Sequence, residues 1–529
     1  MKKIAINLFI LCALLFKTPA IASHVYINDL RGLFIQNKAI ILAINIRSFN
    51  AKDLNGNDII EQELGETPGN FINAIERLDE IKKQGINTIH LLPITPVGKV
   101  KALGTAGSLY AISSFTAINP QLDDKTNKLT VKQEAEKFIN ECHKRGIRVI
   151  VDIPSCGSYD MYLAQPNLFV TDADKQPQVP MDWTDVRVFK TTNHDGTLNE
   201  DVYNLYKNYV DMVQELGVDG IRADVATSKP FEFWSRLINY ARSKDPQFLF
   251  LAEASDSWKE PVGKNAPFTP YDKLLEAGFD GYYGSFFNLK DWKSSSELET
   301  NLNTVKETVK KFNGQKSVIG SFATHDELSP MVVGNAEYAK IIIWLQATLP
   351  LNSYFVDGFQ TGDTYNYAYA NKKAPVTYTD DNYYFVHRGK IDIFNFSRKP
   401  HGDNETLLKE FIDGNEVKSV AADMLNKGTL TVLPTDNASI FAYTVTYNKS
   451  TLLVIINRDL NLSNSVEIKI KGITPETFAS PLRFDAVPII GKNKISVLMP
   501  PGGINILMMN LNQEPKQIKK QSKPAAKIR

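Results

Sequence analysis

Residues 217–224 read Gly-Val-Asp-Gly-Ile-Arg-Ala-Asp and follow a helical run. If 218–223 is a strand, its two-residue period sends Arg222 and Asp224 to the same side. A guanidinium fixed beside a carboxylate favours the ionised form, which is what a nucleophile requires. The same pair also suits a structural ion pair at a strand end. Two further strand-like runs end in acids, one at Glu253 and one at His325-Asp326, and an earlier run carries Asp152. Acids converging on one mouth suit glycoside hydrolysis, in which a carboxylate nucleophile and a protonated acid stand about 5 Å apart when configuration is retained. One residue type then serves two roles, so the two environments must differ. Arg222 is expected to hold Asp224 anionic. Glu253 follows Phe250-Leu251-Ala252, an apolar frame that raises a carboxyl pKa and favours the acid form.

The elements that must position these residues alternate. Strand-like runs at 39–46, 87–93, 147–153, 218–223, 248–252, 279–287, 317–323 and 352–356 are interleaved with helical stretches. Among the helices are one opened by Thr67-Pro68 and running to Ile81, and others at 131–145, 200–216, 231–243 and 338–349. This alternation predicts an α/β fold, a parallel (β/α)8 TIM barrel, whose carboxyl face gathers functional residues. Residues 154–199 are polar and lack sustained periodicity, and are too long for an ordinary connection, so they are read as an inserted subdomain or lid. Past about residue 426 the pattern becomes short alternating strands separated by turns. The predicted organisation is therefore a catalytic barrel over 23–425, an antiparallel β-domain over 426–512, and a basic disordered tail over 513–529.

The chain of 529 residues carries a net charge of +1, which points neither to nucleic acid nor to an acidic partner. Lys2 and Lys3 precede an apolar run from Ile4 to Phe16, and Ala20-Ile21-Ala22 is a small-x-small cleavage pattern. Residues 1–22 thus read as a secretory signal peptide, with export to a periplasm or beyond the cell and no membrane anchor after cleavage. Cys142 and Cys156 would remain, one late on a helix and one just past a strand, at opposite ends of a barrel and unsuited to pairing. No organic cofactor is expected.

The order Asp152, then Gly220-Ile221-Arg222-Ala223-Asp224, then Glu253, then Phe322-Ala323-Thr324-His325-Asp326 resembles the α-amylase family, glycoside hydrolase family 13. The resemblance implies Asp224 as nucleophile, Glu253 as general acid/base and Asp326 as stabiliser of the oxocarbenium-like transition state. It implies that Arg222 orients Asp224, that His325 bonds sugar hydroxyls and that Asp152 braces the arginine. Tyr110, in Gly107-Ser108-Leu109-Tyr110, falls where the family places an aromatic platform for the reacting sugar. The substrate implied is an α-linked oligo- or polysaccharide.

Two departures qualify this resemblance. After Asp152 the family reads Asp-x-x-x-Asn-His, but here the run is Asp152-Ile153-Pro154-Ser155-Cys156-Gly157, so a sugar-binding His and an Asn of a calcium site are absent. After Asp224 the usual Lys-His is replaced by Thr227-Ser228. Lys229-Pro230 and Phe233-Trp234 are similar to segments of maltosyltransferases in the same family, which use a phosphorylated donor. Three activities therefore stay open: a retaining glycosidase or transglycosylase on α-glucans, a maltosyl-type transferase, and a glycan-binding barrel without turnover. The loop 53–61, with Asp53, Asn55, Asn57 and Glu61, lacks EF-hand spacing but resembles the calcium loop of oligo-glucosidases in this family. A solvated Asx-rich turn fits it equally. His90, Trp183 and Trp234 are read as packing residues, Trp183 with a possible second role lining a subsite, and His194 as a surface loop residue.

Overall fold

Eight parallel strands run β1 (Ile40–Ile44), β2 (Thr88–Leu91), β3 (Arg148–Ile153), β4 (Gly220–Ala223), β5 (Leu249–Ala252), β6 (Gly281–Tyr282), β7 (Ser317–Val318) and β8 (Ser353–Val356), in that order around the sheet. β8 pairs with β1, and the seam between β7 and β8 is closed by Asn352 N donating to Val318 O at 2.9 Å and Gly320 N to Asn352 O at 2.7 Å. The Asn352 side chain knits the same seam, donating to Phe34 O and Ser317 Oγ and accepting from Ala39 N. The sheet is thus a closed barrel. Its strands are buried on both faces, which is why they read as continuous apolar runs and not as alternating ones. The computed structural model describes residues 26–52, 54–55, 62–102, 107–181, 183–263, 266–364 and 402–509. The signal-like residues 1–22, the loop residues Asp53, Asn57 and Glu61, and the tail 513–529 lie outside the described residues.

The helices between strands carry the caps that their sequences advertise. Thr130 and Gln133 form a reciprocal capping box on Val131–Lys144, and Asn199 caps Glu200–Glu215. Three expectations need correction. The helix expected from Thr67-Pro68 starts instead at Asn70, which caps Phe71–Ala74, and breaks into a 3₁₀ turn at Ile75–Arg77 before Leu78–Lys83. There the Arg77 guanidinium turns inward to Asp357 at 2.7 and 3.1 Å. β6 spans only Gly281–Tyr282, because Gly284 at φ +66° turns the chain into the 3₁₀ segment Phe286–Asp291. β7 stops at Val318, and His325-Asp326 arrive from the loop beyond it. Gly320 passes so close to Gln346 that a Cβ there would stand 2.4 Å from its side-chain oxygen.

Between β3 and β4 lies a small lid. Cys156–Ser158 pairs antiparallel with Val186–Val188, and helix Tyr159–Ala164 follows the first of these strands. Beyond the barrel, a five-stranded antiparallel sheet (Thr429–Val432, Ile440–Tyr447, Ser450–Asn457, Ile504–Met509, Phe478–Arg483) faces a three-stranded one (Asn464–Lys469, Lys494–Met499, Ile489–Gly491). The strands Phe478–Arg483 and Ile489–Gly491 were not expected from the sequence pattern. Cys142 and Cys156 are both buried and free.

Candidate active site

The register of the sheet sets Asp152 on β3 directly beside Arg222 on β4. Arg222 Nη1 reaches Asp152 Oδ1 at 2.8 Å and Oδ2 at 3.0 Å, and also Asp224 Oδ1 at 3.0 Å. Its Nη2 stands 2.9 Å from Glu253 Oε2, a charge contact whose angle is not that of a hydrogen bond. Its Nε donates to Tyr283 Oη at 3.0 Å. One fully buried guanidinium is therefore shared by three carboxylates. The period-two geometry expected of 218–224 accounts for the contact with Asp224, and the register of β3 with β4 for that with Asp152.

The acids differ in access. Side-chain exposure is 0% for Asp152, 14% for Asp224, 12% for Glu253 and 29% for Asp326, so the last three open to the mouth while Asp152 is sealed beneath them. Asp152 also accepts from Tyr110 Oη at 2.8 Å. The same hydroxyl lies 2.8 Å from His325 Nε2, and His325 Nε2 is 3.4 Å from Asp326 Oδ2. Because the Tyr110 proton goes to Asp152, its oxygen must accept from His325, which places the His325 proton on Nε2. Burial pushes His325 down to about 3, so the ring is neutral and its one N–H is taken by Tyr110. His90, satisfied at Nδ1 by Tyr354 Oη at 2.9 Å, directs Nε2 towards Asp152 at 3.4 Å. It is a core histidine, and it underlies the site.

Charge is set by burial and by donors together. Burial raises Glu253 to about 8 against the pull of Arg222, with Asp224 and Asp326 adding to the rise. Burial also raises Asp224 above the usual carboxylate range, more than Arg222 lowers it. The guanidinium alone thus does not hold Asp224 anionic, as the sequence suggested. Ser155 adds to the pull of the guanidinium, its N and Oγ both donating to Asp224 Oδ2 at 3.0 and 2.9 Å, and the net shift is still upward. Glu253 Oε2 has a single amide donor, Val225 N at 2.6 Å. Asp224 thus accepts from three donors, Arg222 Nη1 and Ser155 N and Oγ, and Glu253 from one amide, so hydrogen bonding favours the proton on Glu253. Val225 holds a left-handed φ of +38°, a strained position for a β-branched residue, and that strain aims its amide at the acid.

The structure gathers Asp152, Arg222, Asp224, Glu253, His325, Asp326 and Tyr110 at one end of the barrel. Ser155, Val225, Tyr283, Tyr354 and Lys229 were not singled out as site residues in the sequence. Ser155 had a signal, since it lies one residue before the departure at Cys156. Elsewhere, Trp183 packs with Ala111, Cys156 and Val186, Trp234 is buried with its Nε1 on Ala226 O, and His194 is exposed on a turn. Of the calcium-loop residues, Asn55 alone is described, exposed, with its N 3.3 Å from Glu66 Oε1.

No protein-family model matches the chain. The chain is 25% identical over 281 residues to alpha-amylase 2 of Dictyoglomus thermophilum, covering 51% of this chain and 46% of that one. It is 24% identical over 470 residues to an alpha-1,4-glucan:maltose-1-phosphate maltosyltransferase of Arcanobacterium haemolyticum, covering 81% of this chain and 60% of that one. It therefore spans about half the length of these relatives. Its fold matches a solved alpha-amylase of Lactobacillus plantarum with a TM-score of 0.64 at 20% identity, over 90% of this chain and 99% of that one. The chain thus shares the α-amylase fold, a barrel with an appended β-domain, and is similar in sequence to members of the α-amylase family, glycoside hydrolase family 13.

Proposed function

We propose that this chain is an exported retaining enzyme that cleaves or transfers α-linked glucosyl units from oligo- or polysaccharides. The observation that carries the reading is Arg222 bridging Asp224, which also accepts from Ser155 N and Oγ, and Glu253, which burial raises to about 8. Asp224 attacks the anomeric carbon while protonated Glu253 gives its proton to the departing oxygen. Glu253, now a base, then activates water or a second sugar to release the glycosyl-enzyme. One buried arginine against Asp152, Asp224 and Asp326 leaves the mouth net negative with Glu253 neutral, which favours a positively charged, oxocarbenium-like transition state. Neutral His325, fixed by Tyr110, stands beside Asp326 at the mouth.

A second reading, a maltosyl transfer from a phosphorylated donor, is supported by the Arcanobacterium relative and by the Lys229-Pro230 and Phe233-Trp234 segments. The deciding experiment compares purified mature protein with its Glu253→Gln variant on α-linked oligosaccharides, with and without phosphate. The expected result is hydrolysis or chain transfer by the parent without phosphate and none by the variant. Turnover that requires phosphate moves the assignment to the transferase. Saccharide binding with no turnover under any condition overturns the enzyme reading. Calcium is proposed for the 53–61 loop, and an unchanged melting temperature on adding calcium to chelator-treated protein argues against it.

A further inference from the structure

Ser155 holds the candidate nucleophile from the loop after β3, and something must hold Ser155. Its carbonyl oxygen accepts from Lys229 Nζ at 2.7 Å. Lys229 is 2% exposed, and among the described residues its ammonium meets neutral groups: that carbonyl, Ser228 Oγ at 3.2 Å and the Tyr206 ring at 5.4 Å to the centroid. Its own backbone is pinned, with Thr269 Oγ1 donating to Lys229 O at 2.7 Å and Thr269 N to Thr227 O at 2.8 Å. The far side of the same loop is fixed by Tyr206 Oη on Pro154 O at 2.9 Å.

A buried cation without an ion-pair partner is costly, and a neutral donor could hold one carbonyl as well. The charge has a use here because the nucleophile is one residue away: the Ser155 backbone links the carbonyl that Lys229 holds to the two donors that reach Asp224. We infer that Lys229 is a positioning residue for the nucleophile, acting through Ser155 to aim both donors at Asp224 Oδ2 and lending it a positive field. The inference rests on Asp224 being the nucleophile. Burial lowers Lys229 to about 8, with Cys156 and Asp224 pulling it back up, so the charge persists to about that pH. The ionisable groups facing Asp224 are Arg222 on its own strand, Asp152 on β3, Glu253 on β5, Tyr110 after β2, Cys156 in the lid and Tyr206 on the helix Glu200–Glu215.

The test follows the pH dependence of covalent trapping. The full chain is treated with a fluorinated α-glucosyl fluoride, which needs no proton from Glu253 to depart, and labelling of Asp224 is timed by mass spectrometry across pH. Ser155→Ala and Lys229→Met each remove support for the charged carboxylate, so the acidic midpoint of labelling moves up by about one pH unit. Lys229→Arg keeps the charge and returns the midpoint towards that of the parent. A residue that merely stabilises the fold slows labelling or lowers the melting temperature and leaves the midpoint in place. Unmoved midpoints in a parent that labels normally therefore overturn this inference alone. If Lys229→Met does not fold, Ser155→Ala and Lys229→Arg decide the matter. A parent that neither labels nor turns over any α-glucoside overturns the nucleophile assignment and this inference with it.

Discussion

The two carboxyls on Arg222 make a prediction about pH in both rate and stability. In the proposed mechanism Glu253 carries a proton to assist departure, and burial raises it to about 8. Activity as kcat/KM is therefore expected to fall as pH rises through about 8, and the Glu253→Gln variant to lose that limb along with about 10²–10⁴-fold of the rate on unactivated substrates. A flat profile across pH 7 to 9 sinks the assignment. Stability follows by linkage. Between the ordinary glutamate value of 4.5 and about 8 the folded state binds the proton that the unfolded state has released, so this group's contribution to stability declines as pH rises across that window. The melting temperature of Glu253→Gln relative to the parent should accordingly climb from pH 5 to pH 8. The hydroxyl of Tyr110 supports a second prediction, because Asp152 and His325 both meet it at 2.8 Å. Tyr110→Phe is expected to cost about 1–2 kcal/mol in stability. It should also lower kcat/KM by roughly ten-fold as His325 loosens, a barrier increase of about 1.4 kcal/mol. Calorimetry and steady-state kinetics check both, and a variant with parental values in each shows that the hydroxyl does nothing here.

Elements decide why this mouth departs from the α-amylase family's pattern. Gly157 occupies the place of the missing sugar-binding histidine, and a Cβ there would stand 2.8 Å from the Phe189 ring and 2.9 Å from that of Phe169. The lid strands thus leave no room for a side chain. Gly157→Ala should destabilise the protein by about 1–3 kcal/mol, and Gly157→His should not recover a sugar contact. Thermal denaturation of the alanine variant tests this, and a melting temperature equal to the parent's refutes the packing argument. The same comparison shows which elements were legible. β1 to β5 were readable because strands buried on both faces form uninterrupted apolar runs, and the helices on 131–144 and 200–215 because Thr130 and Asn199 are capping residues. β6 and β7 were overextended, since apolar residues continue past Gly284 and Gly320, where the backbone turns away from the sheet. At the site the acids could be read because Asp152 lies in β3, Asp224 and Glu253 directly follow β4 and β5, and Asp326 lies in the loop after β7. Ser155 and Lys229 could not, because their roles depend on two loops meeting in space. The upward push of burial on Asp224 is hidden for a related reason, as a nearby arginine is visible in sequence but the depth of burial is not.

Across the whole molecule, the barrel and the β-domain share one core. In the strands Ile440–Tyr447 and Ser450–Asn457, alternate residues Phe441, Tyr443, Val445, Leu452, Val454 and Ile456 join the barrel's cluster. The residues between them, Ile440, Ala442, Leu453 and Ile455, pack with Val466, Ile468, Ile495 and Val497 of the smaller sheet. The five-stranded sheet is therefore a wall with apolar groups on both sides, and neither neighbour can leave without exposing one of them. Polar links reinforce the joint: Arg483 forks onto Glu410 at 2.9 Å through both Nε and Nη2, Trp344 Nε1 donates to Glu410, and Thr348 Oγ1 meets Tyr443 Oη. Replacing Arg483 with Met would leave Glu410 largely buried without its partner, a loss of about 3 kcal/mol. Two consequences follow. Heating should produce one cooperative transition, seen at the same temperature by tryptophan fluorescence and by far-ultraviolet circular dichroism, and Arg483→Met should lower that single transition without splitting it. A chain ending at residue 428 should fail to fold as a soluble barrel, because the wall that covers its outer apolar face is gone. Two separated transitions, or a soluble truncated barrel with a parental melting temperature, would show instead that the β-domain is an independent attachment and that the site owes nothing to it.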